Sequence, residues 1–376
     1  MNILILTGLF PPDIGGPAIY TERLANKFVE NGIEVGVVCY SDSQEIDSQE
    51  YDFPVTRISR NHCLPLRYFL YFWSSLKKAK NVEIIYVQDL FSSGIPAALV
   101  KKFFRKKLAI RLGGDFLWEK AIENNWTRKP LREYYQQPKN YYERLLIWLS
   151  QRVLNTANLI IFSTNWQKEI FFKNYKISRE KIKVIQNPFP EITPIAESSV
   201  NQKIIFHGRL VKLKNVDFLI KAFTQVLKNQ PDLRLEIIGQ GPRGKKLEKL
   251  IKELNLERKA VIQEKISHQQ LIKEINQCFL MVIPSLTEIS PGLVLECIRL
   301  KKPVLLTKET GFYERFKRVL IFIDPFNQKD LVGKINYLLN RRNYQKYQEK
   351  ISLIPTNYSW SKVIQEHINI FKKLAK

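Results

Sequence analysis

Glu288 and Glu296 stand eight positions apart in PSLTEISPGLVLE, residues 284–296. A carboxylate that accepts two O–H bonds reads a vicinal diol well. Between the acids, Ser290-Pro291-Gly292 has the composition of a helix start, with Ser at the N-cap and Pro at the first helical position. Backbone N–H groups at such an end attract anions. Arg209 and Lys214 lie five apart in HGRLVKLKN, residues 207–215. They suit a diphosphate, Arg as a bidentate fork and Lys as a point charge. Acids for sugar hydroxyls and cations for phosphate together fit the two halves of a sugar nucleotide. Singly, each feature has a plainer reading: helix-start acids favoured by the dipole, and solvated cations in a basic protein.

Glycine turns accompany these residues. Gly15-Gly16 in FPPDIGGPA (10–18) precede a helical pattern, and Gly239 and Gly241-Pro242 lie in IIGQGPRGKKL (237–247). Glycine lets backbone approach a ligand closely, and a following helix supplies N–H groups for phosphate. A structural turn explains any one of them as well. His268 in QEKISHQQL reads as a surface residue at a helix start.

These loops need elements to position them. Near-continuous apolar runs mark strands at 2–7, 34–40, 82–88, 108–113 and 157–164, then again at 203–208, 234–239, 260–265, 279–285 and 303–307. Helical patterns alternate with them, among them 18–32, closed by Gly32, and 216–229. The final stretch 358–376 is an amphipathic helix. Strand–helix alternation that runs twice predicts two doubly wound α/β domains, joined by a Pro- and Ser-rich linker at 187–199. Ligands of such sheets bind at the carboxyl ends of strands, where the residues above fall.

The chain has 376 residues, 45% of them hydrophobic, which supports real cores and excludes disorder as the default. The formal charge is +24, yet residues 1–50 hold eight acids against Arg23 and Lys27 alone. The basic excess lies further on, with one patch at KKFFRKK, Lys101–Lys107. It fits an anionic surface, nucleotide phosphates or nucleic acid. No zinc, helix-turn-helix or RNA-motif pattern accompanies it, which argues against nucleic acid. Four scattered cysteines read as buried thiols in a reducing compartment. The N-terminus reads as a first strand and no apolar run approaches the ~18 residues that span a bilayer. The expected location is the cytoplasm, with a peripheral position on the inner face of the cell membrane open. RYFLYFWSSLKKAK (67–80) and KKFFRKK mix aromatics with cations as interfacial helices do, or as a core-packed helix with a solvated end does.

Taken together, Gly15-Gly16, Gly208-Arg209 with Lys214, Gly239-x-Gly241-Pro242 and Glu288-x7-Glu296 resemble, in order and spacing, the retaining glycosyltransferases of family 4. The resemblance spans nearly the whole chain. It implies an α/β protein of the GT-B fold, two Rossmann-like domains facing across a cleft. Residues 1–188 would bind the acceptor, completed by helix 358–376, and 189–357 would bind the donor. Arg209 and Lys214 would hold the donor diphosphate, Glu296 the ribose and Glu288 the sugar. Gly15, Gly16, Gly208, Gly239, Gly241, Pro242, Ser290, Gly292 and Leu293 would line the donor site. Asp115 in RLGGDFLWEKA would stand beside the reacting carbon, or cap the following helix; Trp118 and Glu119 would lie near the acceptor. Two departures touch the donor sugar: ISPG replaces the usual Gly-Phe-Gly after Glu288, and KETGFYE (308–314) holds one glycine, Gly311, where two are usual.

The implied reaction moves a hexose from a UDP- or GDP-linked donor to a glycan or lipid-linked acceptor, in cell-envelope polysaccharide synthesis. No cofactor is implied, and with no DxD triplet in the chain no obligatory metal is expected. A sugar-nucleotide epimerase or a phosphorylase on the same fold is the rival within enzymes, and a nucleic-acid binder the remote one.

Overall fold

The computed structural model describes residues 1–13, 15–41, 51–192 and 201–376. Most of the expected linker, from residue 193, lies outside them. The chain divides into two compact units. Unit 1 comprises Met1–Leu117, Pro138–Asn187 and Trp360–Lys376; unit 2 comprises Trp118–Gln137 and Pro188–Ser359. Residues 118–137 therefore group with the second unit, which a single cut at 188 does not provide for.

Unit 1 begins with β1 (Asn2–Leu6), α1 (Gly16–Glu30), β2 (Glu34–Ser41), β3 (Val55–Ser59) and α2 (Leu64–Ala79). It continues with β4 (Ile84–Val87), α3 (Gly94–Phe104) and β5 (Lys107–Leu112). The chain changes units inside α4 (Phe116–Glu123), runs through α5 (Leu131–Tyr134) in unit 2, and returns as α6 (Tyr141–Thr156). β6 (Leu159–Phe162), α7 (Asn165–Asn174) and β7 (Ile182–Val184) follow. Among the described residues the sheet order is β3-β2-β1-β4-β5-β6-β7, all parallel. Leu4 of β1 sits between Gly36 and Ile85, and strands β1, β4 and β6 are apolar on both faces, as a doubly covered parallel sheet requires.

Unit 2 holds β8 (Lys203–His207), α8 (Val216–Val226), β9 (Arg234–Ile238), α9 (Gly244–Glu253), β10 (Ala260–Gln263) and α10 (His268–Gln277). Then come β11 (Leu280–Ile283), α11 (Gly292–Arg299), β12 (Val304–Thr307), α12 (Tyr313–Phe316) and β13 (Ile321–Ile323). Helices α13 (Gln328–Leu339) and α14 (Arg341–Ser352) complete it. Its sheet runs β10-β9-β8-β11-β12-β13, again parallel. The order reverses between β8 and β11. The loops after those two strands are therefore the place where a doubly wound sheet binds ligands.

The C-terminal helix α15 (Trp360–Ala375) belongs to unit 1. Trp360 packs on Tyr20 of α1, ring centroids 5.2 Å apart. His367 is fully buried, and its Nε2 lies 2.9 Å from the Tyr86 hydroxyl of β4. Three strands outside the runs marked above, β3, β7 and β13, all stand at sheet edges; VTRIS of β3 and IKV of β7 carry the polar residues that a half-exposed edge permits, whereas β13 is the short apolar IFI. Cys39, Cys278 and Cys297 are buried, whereas Cys63 is exposed just before α2, a correction to the reading of four buried thiols.

Candidate active site

The loop after β8 and the loop after β9 are locked together by glycine. Gly208 and Gly239 have φ of +153° and +147°. A Cβ on Gly239 would lie 2.0 Å from the Gly208 carbonyl oxygen, and one on Gly241 would lie 2.6 Å from the Leu210 oxygen. The Leu210 N–H donates to the Gln240 carbonyl at 2.9 Å. These glycines are thus required for turn to pack on turn. Pro242 lies exposed in the same turn, just before α9. Gly292 differs: a Cβ there meets nothing within 4 Å, so the backbone at the start of α11 faces open space.

Helix α11 begins one residue later than the sequence suggests. Pro291 occupies the N-cap in an extended conformation and makes no side-chain capping bond, and Ser290 lies outside the helix. Ser290 is therefore not the cap. Proline offers no side-chain oxygen to the first-turn N–H groups, and such groups at a helix start attract anions. Leu293 is half-buried and packs on the unit's core.

Glu288 is fixed on all sides. Its N–H donates to the Glu309 carbonyl at 2.9 Å, and its carbonyl accepts from the Gly311 N–H at 3.0 Å. Its Oε1 accepts from Lys214 Nζ at 2.5 Å and from Ser285 Oγ at 2.6 Å. The Leu286 N–H donates to the Leu213 carbonyl, which ties the Glu288 loop to the 3-10 turn Lys212–Lys214. Asn215, in the left-handed region at φ 55°, donates through Nδ2 to the carbonyls of Pro284 and Pro325. Lys214 and Glu288, expected to serve phosphate and sugar separately, thus form one ion pair.

Glu296 projects from α11, and its Oε1 lies 3.0 Å from His268 Nε2 at the start of α10. That start is set by a capping box between Ser267 and Gln270. His207, at the end of β8, is held below the usual histidine range by burial first, then by Lys214, His268 and Lys265, against the pull of Glu296. Glu309, half-buried behind Glu288, is pushed up by burial, with Arg132 opposing. His207, His268 and Glu309 carry no motif of their own; only their places just after strands or at a helix start hint at them.

Arg209 is exposed, and its Nη2 lies 3.5 Å from Glu119 Oε2. Glu119 stands in the segment grouped with unit 2, as do Glu123, which accepts from the Lys212 N–H at 2.9 Å, and Leu131, whose N–H donates to Thr287 Oγ1 at 3.1 Å. Trp118 is 3% exposed and donates its indole N–H to the Lys129 carbonyl. In unit 1, Gly15 is the extended residue before α1, and a Cβ on Gly16 would meet nothing within 4 Å. Asp115 is buried, at 4% exposure, between the end of β5 and the first residue of α4.

Two adjoining family models match the chain: Glycosyltransferase Family 4 over residues 14–190 and Glycosyl transferases group 1 over residues 191–352. The chain belongs to glycosyltransferase family 4. An uncharacterized family relative from Methanocaldococcus jannaschii is 24% identical, over 99% of this chain and 98% of its own. Among solved structures, Anabaena HepE in complex with UDP and glucose matches with a TM-score of 0.76 at 18% identity, covering 99% and 100% of the two chains. Sucrose-phosphate synthase from Thermosynechococcus elongatus matches with a TM-score of 0.75 at 16% identity, covering 99% and 98%. These neighbours establish the GT-B fold. For this glycosyltransferase, the second family model contains the cluster built around Lys214, Glu288, His268 and Glu296.

Proposed function

We propose that this glycosyltransferase moves a hexose, with retention of anomeric configuration, from a UDP- or GDP-linked donor to a glycan or lipid-linked acceptor in cell-envelope polysaccharide synthesis. The observation that carries the reading is the arrangement in unit 2: the Lys214–Glu288 and His268–Glu296 pairs beside the start of α11.

Breaking the sugar–phosphate bond leaves negative charge on the departing diphosphate. Arg209, Lys214 and the N–H groups of Gly292 and Leu293 stabilise that charge, and each well-placed donor contributes about 3 kcal/mol. When the diphosphate arrives, Lys214 is shared between it and Glu288. The Glu288 carboxylate then reads a sugar hydroxyl, while Glu296, held by His268, reads the ribose diol. Asp115 acts near the reacting carbon and Gly15-Gly16 present backbone to the phosphates, both by family resemblance. No obligatory metal takes part. UDP is the first nucleotide to try, because HepE was solved with it.

The protein works in the cytoplasm, peripheral to the inner face of the membrane. Among the described residues no helix is long and apolar enough to cross a membrane. The basic stretch Lys101–Lys107 supports the peripheral placement. The direct test is a panel of UDP- and GDP-hexoses, followed by mass spectrometry for transfer and NMR for the anomeric configuration. An α-linked product from an α-linked donor, lost in Asp115→Asn, supports the reading. An inverted product, or donor turned over to an epimer without transfer, overturns it.

A further inference from the structure

Helices α2, α3 and α6 are apolar on two sides. Each buries one face in the core of unit 1: Tyr71 and Ala79 from α2, Ala97 and Val100 from α3, Leu146 and Val153 from α6. Each also turns a second apolar stripe outward, at the three- and four-residue spacing of a helix face. Phe69 and Trp73 stack with ring planes 11° apart on α2. Phe103, 68% exposed at the end of α3, reaches the α2 ring of Phe72 at 5.9 Å. On α6, Tyr141 and Trp148 are 86% and 52% exposed, with Leu145 between them. Helix α3 packs against both α2 and α6.

The core has no use for these side chains, and their charge setting is one-sided. The three helices carry seven Lys and Arg residues and one acid, Glu143. Glu143 is buried and engaged in the capping box with Asn140. Lys77 Nζ lies 5.5 Å above the Trp73 ring and Arg152 Cζ 5.0 Å above that of Trp148. Lys101, by contrast, donates to the Thr156 carbonyl and is spent inside the unit, so the working cations start at Lys102.

We infer that the outward stripes of α2, α3 and α6 form a docking surface for an anionic lipid bilayer. This rests on the peripheral placement proposed above and gives it a place on the molecule. Trp, Tyr and Phe set among Lys and Arg match the interfacial zone of a membrane, where rings enter the headgroup region and cations meet lipid phosphates. A bilayer supplies both the apolar depth and the negative charge; a second copy of this surface would bring cation to cation.

The test is flotation of the full chain with vesicles of phosphatidylcholine alone or mixed with phosphatidylglycerol. The wild type should bind the mixed vesicles about tenfold or more tightly than the neutral ones. Phe69→Ser/Phe103→Ser/Trp148→Ser should lose about tenfold or more of that binding, and Lys77→Gln/Lys102→Gln/Arg152→Gln should bring the two vesicle types level. The UDP-induced melting shift, read on the same samples, should persist in both variants, which shows that they fold and keeps a failed donor reading separate. Negligible binding of the wild type to both vesicles overturns the peripheral placement and this surface together. Binding that survives the apolar triple variant overturns the surface alone. A wild-type dimer that the triple variant converts to monomer, with no vesicle binding, assigns the surface to a second copy instead.

Discussion

His268 Nε2 lies 3.0 Å from Glu296 Oε1, so the first residue of α10 holds an acid of α11 across 28 positions of chain. Both residues stand in unit 2, and His268 is the more exposed partner. An exposed bond of this kind is worth about 1 kcal/mol or less. We expect His268→Ala to weaken nucleotide binding about threefold to fivefold by titration calorimetry, with turnover at saturating donor little changed. Glu296→Ala should weaken it far more. Equal effects of the two would mean that His268 contacts the nucleotide itself.

Lys214 and Glu288 form the second pair, and here the loss should fall on turnover. Lys214→Ala is expected to lower kcat about 10²-fold, as removal of one preorganised donor does. It should also lower stability by about 1–3 kcal/mol, since among the described residues Glu288 then keeps Ser285 alone as side-chain partner. Lys214→Ala paired with Glu288→Gln should regain stability and not kcat, a contrast that steady-state kinetics and thermal melting together can read.

The glycines separate packing from function. Gly239→Ala places a Cβ 2.0 Å from a backbone oxygen at positive φ, so a large loss of stability or of soluble protein is expected. Gly292→Ala meets open space and should leave the melting temperature within about a degree or two of wild type, while KM for the donor rises. A Gly292→Ala protein with unchanged KM would remove the start of α11 from the site.

Acid stability should depend on His367. Burial pushes its imidazole from the usual 6.5 down to about 4, so the fold disfavours the proton. The neutral ring's contribution is whole above pH ~6.5 and is lost as pH falls from there toward about 4; the shift corresponds to about 3 kcal/mol. The Nδ1–H donates to the Val363 carbonyl and Nε2 accepts from Tyr86. Protonation turns that acceptor into a donor. His367→Gln should give a lower melting temperature at neutral pH and a shallower fall between pH 6.5 and 4, measured by scanning calorimetry.

The central strands were legible because a sheet covered on both faces needs unbroken apolar runs, as in the LIIF of β6 and the LMVI of β11. The edge strand VTRIS of β3 was not, since an exposed edge tolerates Thr and Arg. The motif residues fell at strand ends as their spacing implied. Their pairings did not follow, because Lys214 and Glu288 are 74 residues apart and meet only through the loops after β8 and β11. The start of α11 was misplaced by one residue: Ser-Pro-Gly suits a Ser cap, but the extended Pro291 takes the cap position. The docking of segment 118–137 in unit 2 carries no local signal, resting on single tertiary bonds such as Leu131 to Thr287.

The most direct measurement is the melting shift induced by UDP and by GDP in wild type and in Glu296→Ala. At a nucleotide concentration about a hundred times Kd, binding stabilises the fold by about 2.7 kcal/mol, a shift of a few degrees for a chain of this size. One of the two nucleotides should produce this shift in wild type, and Glu296→Ala should abolish most of it. No shift with either nucleotide, or an equal shift in both proteins, would contradict the donor site described here.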